Sequence, residues 1–143
     1  MRKLATDHAG LEILHLADCF RLLESVPVGR VGFLARGEVV ILPVNFLVDG
    51  QDILFRTGSG SKLGSLEIGH YVGFEADHYD SATHSGWSVV ANGLAEIVED
   101  DDESARLDAL GLAPWGAAED QTWIRVRPTS ITGRRIAGSA FAD

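Results

Sequence analysis

The stretch "FRTGSGSKL", residues 55–63, gathers the cations Arg56 and Lys62 and the hydroxyls of Thr57, Ser59 and Ser61 around two glycines. Cations and hydroxyls around a flexible backbone suit an anion, since charge-assisted hydrogen bonds and successive backbone N–H groups both favour phosphate oxygens. If "SKLGSLEIG" opens a helix, its first N–H groups point at the same anion. A Walker A loop needs Gly-Lys followed by Ser or Thr, whose hydroxyl holds magnesium. Here Ser61 precedes Lys62 and Leu63 follows it, which disfavours nucleotide hydrolysis. Two readings stay open on these residues: a monoester phosphate that is bound and never transferred, or a polar Gly-rich loop entering a helix.

Other chemistry-bearing groups are sparser. Arg134 and Arg135 follow Gly133 near the chain's end and suit an anionic substrate or a surface ion pair. His70, His78 and His84 are spaced six to eight apart, which matches no common zinc pattern, so no metal is expected. Cys19 falls on the apolar side of a helical pattern and reads as a buried small hydrophobe.

The elements that position these groups come from periodicity and turn chemistry. "LADCFRLLESV" places Leu16, Phe20 and Leu23 four and three apart, a short amphipathic helix. "VGRVGFLARGEVVILPVNFLVDGQDILFRTG" is rich in Val, Ile, Leu and Phe and broken by "RGE" and "DGQD", which predicts three strands joined by two tight hairpins. Pro43 inside the second strand has no N–H for a ladder bond, so it marks an edge, a bulge or a place where a ligand replaces a neighbour. "HYVGFEADHYD", "GWSVVANGLAEIVED" and "TWIRVRPTSITGRRI" read as further strands, and "DDESARLDALGL", with its acidic start and terminal Gly, as a short helix. About six strands with three short helices and no regular βαβ alternation argue for an antiparallel barrel or sandwich.

At 143 residues and 45% hydrophobic, the chain suits one domain, residues 1–143, with a core that needs no disulfide or structural metal. Its single cysteine excludes an intrachain disulfide framework. The formal charge of -9 argues against nucleic acid or anionic lipid as partner. No run approaches the roughly 20 apolar residues of a membrane span, so a cytoplasmic protein without a membrane partner is expected.

The ordered series of a "VGRVGF" strand, an "LPVNF" strand, the "FRTGSGSKL" loop and a "GWSVVANGLA" strand resembles the pyridoxamine 5'-phosphate oxidase-like family of FMN-binding split barrels. It most resembles the small members grouped with nitroimidazole-resistance proteins and the actinobacterial flavin or deazaflavin oxidoreductases. The resemblance runs from about Leu16 to Ile136. It implies a mostly β fold, a six-stranded antiparallel split β-barrel with a few short helices, forming a homodimer with two flavin sites at its interface. Carried over residue by residue, it implies that Pro43, Val44, Asn45 and Phe46 run beside the flavin ring. It implies that Arg56, Thr57, Ser61 and Lys62 grip the FMN phosphate, and that Trp87 and Ser88 reach the cofactor of the other subunit. The implied activity is an FMN-dependent oxidoreductase that moves hydride or electrons between flavin and a small-molecule substrate. The alternatives are an F420-dependent reductase, whose cofactor tail would want a basic groove from Arg36, Arg134 and Arg135, or a non-catalytic protein that holds flavin, haem or another hydrophobic ligand.

Overall fold

The computed structural model describes residues 4–58, 70–112 and 121–137. In chain order they form β1 (Glu12–Ile13), α1 (Leu16–Leu23), β2 (Val28–Ala35), β3 (Glu38–Asp49), β4 (Asp52–Gly58), β5 (Tyr71–Asp80), β6 (Ser85–Ile97), α2 (Asp101–Asp108) and β7 (Gln121–Ala137). The third expected helix, starting at "SKLGSLEIG", lies outside the described residues.

All strand pairings are antiparallel, in the order β1-β7-β4-β3-β2-β5-β6, and β6 pairs again with β7. That last pairing closes six strands into a barrel, so β6 does not end the sheet as an open edge. The expected split-barrel class is therefore the observed one. Both hairpins fall where turn chemistry put them. Arg36 and Gly37 each have positive φ (52° and 78°) at the β2–β3 turn, the two-residue arrangement whose twist matches the strands it joins.

Side chains alternate across the barrel wall. Val31, Phe46, Phe55, Phe74, Val89 and Val126 point inward into one apolar core, with Phe46 and Phe74 meeting edge to face at 4.8 Å between ring centroids. The helix α1 lies against β7 at Gly133, where an added Cβ would stand 2.7 Å from Cys19 Sγ. Close approach at that point requires glycine. Cys19 is almost wholly buried, and burial pushes its thiol pKa up, which makes it an inert packing residue.

A second, smaller cluster sits outside the barrel wall: Leu54, Val98, Leu107 and Trp123, with Leu47 against them. It fastens α2 over β3, β4 and β7. The start of α2 is capped by Asp100, whose side chain accepts the N–H of Asp102, and Asp101, Asp102 and Glu103 complement the helix dipole there. Leu107→Ala should empty the centre of this cluster and lower stability by about 2–5 kcal/mol, measured by urea unfolding. A loss below about 0.5 kcal/mol, the range of ordinary surface substitutions, would contradict this packing.

Candidate functional site

Among the described residues, the barrel opens along a seam between β3 and β4. The β3–β4 ladder runs from Asp49↔Asp52 only as far as Phe46↔Phe55. Beyond that pair, Pro43–Asn45 stay with β2, opposite Val28–Arg30, whereas Arg56–Gly58 stay with β7, opposite Gln121–Trp123. Two strands joined by a hairpin thus part company, and among the described residues a cleft lies between them. The Phe46 N–H donates to Pro27 O at 3.3 Å, on the β2 side. Backbone polar groups alternate along a strand, so the Pro43 nitrogen faces the cleft, where no ladder bond is asked of it.

The same alternation sorts the expected site residues. Pro43 and Asn45 share the outer face with Leu47, and Arg56 shares it with Leu54 and Trp123. These side chains border the cleft. Val44 and Phe46 are buried in the barrel core, and by the same alternation their backbone N–H and C=O groups face β2, which leaves Pro43 and Asn45 to turn backbone groups toward the seam. Thr57 is half-buried, and its hydroxyl lies 3.4 Å from Gly58 O. Ser61 and Lys62 lie outside the described residues.

Arg56 is the most constrained of the group. Its guanidinium carbon stands 4.4 Å from the centre of the Trp123 ring, a cation–π contact. Its Nη2 donates to Asp108 Oδ1 at 2.8 Å, and Trp123 Nε1 donates to that same oxygen, also at 2.8 Å. Only 15% of the Arg56 side chain is exposed, and its Nε is buried with no acceptor among the described residues. A buried guanidinium edge still lacking an acceptor, beside an opening in the sheet, fits an anionic group.

Neighbouring charges hold α2 in place. Arg106 bridges Asp49, at 2.6 Å, and Glu103; Arg125 reaches Glu103 at 2.8 Å and lies 3.2 Å from Asp52 without hydrogen-bond alignment. Arg106 first, then Arg125, pull the Glu103 carboxyl down to about 2. On the other flank of the cleft, Arg30 stands opposite Pro43 and lies 3.4 Å from both Glu75 and Asp77. Burial, reinforced by the hydrogen bond and charge of Asp77 and opposed by Arg30, raises the Glu75 carboxyl from 4.5 to about 7.

The remaining expected residues are elsewhere. Trp87 packs against the barrel core, and Ser88 pairs with Asp77 and Arg134. From Pro43 the path across the sheet runs through Arg30 on β2 and Glu75 on β5 to Val90 on β6, three strand spacings or roughly 14 Å, and Ser88 and Trp87 lie further along β6. Within one chain, Trp87 and Ser88 are not part of the seam. Arg134 donates to Asp7 at 3.0 Å and Arg135 to Glu12 at 3.2 Å, so both arginines pin the N-terminal hairpin to β7. They do not build a basic groove with Arg36, which sits in the β2–β3 turn. Hydrogen bonds from Leu11 first, then the Arg134 contact, lower the Asp7 pKa. Among the described residues no three His, Cys, Asp or Glu side chains are grouped to hold a metal ion, and no helix is long and apolar enough to cross a membrane.

Two hollows of about 400 and 430 Å³ lie near Phe33 and Tyr71 and near Val26 and Phe46. Neither is lined by Arg56 or Asn45, and neither holds a convergent set of cations. The donor chemistry at the cleft outweighs their size, because a phosphate is held by charge and directed N–H groups more than by enclosed volume. Sequence reasoning missed Trp123 and Asp108 as parts of this site. Trp123 signalled only an apolar strand position, and Asp108 only the polar end of a short helix.

Residues 16–135 match the family described as pyridoxamine 5'-phosphate oxidase. An uncharacterised protein of Mycobacterium tuberculosis is 35% identical, over 95% of this chain and 93% of its own length. The solved structure of a FAD binding protein from Mycobacterium smegmatis is similar at a TM-score of 0.78 and 42% identity, over 87% of this chain and 97% of that one. A FAD-binding protein from Mesorhizobium loti shares the fold at a TM-score of 0.73 and 16% identity, over 89% of this chain and 99% of its own.

The raised Glu75 carboxyl sets a pH dependence with a definite sign. A folded-state pKa above the unfolded one contributes stability that is complete below the unfolded value and lost as pH rises through the folded value. The window here runs from 4.5 to about 7. Glu75→Gln should flatten the fall in urea midpoint across that window; an unchanged slope in the variant would contradict the assignment.

Proposed function

Since the chain belongs to the pyridoxamine 5'-phosphate oxidase family, we propose that it binds a flavin nucleotide at the β3–β4 cleft and serves as an FMN-dependent oxidoreductase for a small organic compound. The observation that carries this reading is Arg56. It is a mostly buried cation at the edge of the cleft, with its Nε lacking an acceptor among the described residues. The phosphate falls to Arg56, with Thr57, Ser61 and Lys62 from the adjoining segment as further donors. The Asn45 side chain and the backbone groups of Pro43 and Asn45 border the ring, with Val44 and Phe46 holding that strand in place from the core side. Bound flavin supplies the exchange of a hydride at its N5. The protein's part is to orient the ring and shield it from water, and to adjust its potential through hydrogen bonds.

FAD is a second reading, favoured by the FAD binding protein of M. smegmatis at 42% identity. F420 is less well supported, since Arg134 and Arg135 are engaged by Asp7 and Glu12. The protein is cytoplasmic in this reading, without nucleic-acid or membrane partners.

The homodimer belongs to the same proposal. Leu34, Val39, Ile41 and Tyr71 are 61–73% exposed on the outer face of β2, β3 and β5, joined by the pairs Leu34↔Val39 and Gly32↔Ile41 and by β2–β5 pairing. An apolar sheet face of this kind favours a covering partner. A second copy there would also cover the cleft beside Pro43, and the family resemblance assigns Trp87 and Ser88 of that second copy to the cofactor. Light scattering should report a dimer for the native chain and a monomer for Ile41→Asp; a native monomer at micromolar concentration would contradict this interface.

Arg56→Ala should weaken FMN binding by about 1.5–3 kcal/mol, the usual worth of a charged hydrogen-bonding contact, in a fluorescence titration. Undiminished affinity would remove Arg56 from the site. Oxidation of reduced flavin on the protein by a test acceptor separates an oxidoreductase from a carrier of flavin.

A further inference from the structure

We propose that Asp108 is a positioning residue that sets the plane of the Arg56 guanidinium for the flavin phosphate; this inference rests on the flavin reading above. Three observations carry it. One oxygen, Asp108 Oδ1, accepts from both Arg56 Nη2 and Trp123 Nε1 at 2.8 Å. The indole that donates to it is the same one on whose face the guanidinium stacks, at 4.4 Å. The guanidinium is thus fixed by a face contact and an edge contact that share a single tryptophan.

The third observation is the rigidity of the mount. Asp108 is the last residue of α2, and the residues before it are anchored independently. Leu107 is fully buried against Leu54 and Trp123, and Arg106 is bonded to Asp49 and Glu103. A carboxylate at a helix C-terminus faces the negative end of the helix dipole, so its location is unfavourable by itself. The two donors offset that cost and tie the helix end to the site. Nothing in the packing of α2 demands a charge there, because the Asp108 side chain is 61% exposed.

A planar fork that is already oriented loses less freedom on meeting a phosphate than a free arginine does. Asp108 occupies one Nη2 hydrogen and leaves Nε and the Nη1 side of the fork for other acceptors. The inference is therefore specific to the phosphate and predicts no effect on the ring.

The full chain and its variants are titrated with FMN and with riboflavin, which carries the ring without the phosphate. Asp108→Ala should weaken FMN about tenfold, the lower end of the loss seen when a partner that orients a metal-binding side chain is removed, and leave riboflavin unchanged. Asp108→Asn, which keeps an oxygen acceptor, should recover most of the loss. In an Arg56→Ala background, Asp108→Ala should have no further effect. Trp123→Phe keeps the aromatic face and deletes the shared indole N–H, so a smaller loss confined to FMN is expected and covers the case of an unstable Asp108→Ala. Equal losses for FMN and riboflavin would make Asp108 merely structural, unchanged FMN affinity would make it irrelevant, and tighter FMN binding would make it a competing anion; each overturns the inference while leaving the flavin reading intact. A native chain that binds neither ligand overturns both.

Discussion

The structure depends on a ladder that stops. β3 and β4 leave the same hairpin, yet their pairing ends at Phe46↔Phe55, with both rings buried in the core. Past that point each strand follows a different neighbour, and β6–β7 pairing closes the ring on the far side. Closure protects the edges of the sheet, while the early end of one ladder leaves a cleft bordered by strands held on their other sides. A site on such strands is more precisely placed than one on a free loop.

Charge is distributed to match. In a chain with a formal charge of -9, acidic side chains engage most of the arginines around the barrel: Glu103 with Arg106 and Arg125, Asp7 with Arg134, Glu12 with Arg135. Exposed pairs of this kind contribute little individually, but here they dock α2 and the N-terminal hairpin in defined places. Arg125 is as buried and its Nε also lacks a hydrogen bond among the described residues, but it is held between Glu103 and Asp52. Arg56 differs in being stacked on Trp123 at the edge of the cleft, with its Nε lacking an acceptor among the described residues. Burial in a lower dielectric strengthens its attraction for an anion.

Much of the fold could be read from local chemistry. The Arg36-Gly37 and Asp49-Gly50 turns delimit β2, β3 and β4, and the acidic opening of α2 marked its start. Pro43 correctly pointed to an interruption in pairing. Register was not legible, because local periodicity carries no information on which distant residues face each other. That is why Trp123 read as an apolar position and not as the platform under Arg56, and why Asp108 went unnoticed. Arg134 and Arg135 likewise find their partners more than 120 residues away, at Asp7 and Glu12. Val44 and Phe46 lie on β3, and only alternation against a known core shows their side chains turned inward.

The central claim is that the β3–β4 cleft holds a flavin by its phosphate. A crystal structure of the protein with FMN tests it most directly. The account predicts the phosphate within hydrogen-bonding distance of the Arg56 guanidinium, with the ring beside Pro43 and Asn45. An ordered flavin bound elsewhere, with Arg56 engaged only by Asp108 and Trp123, would contradict it.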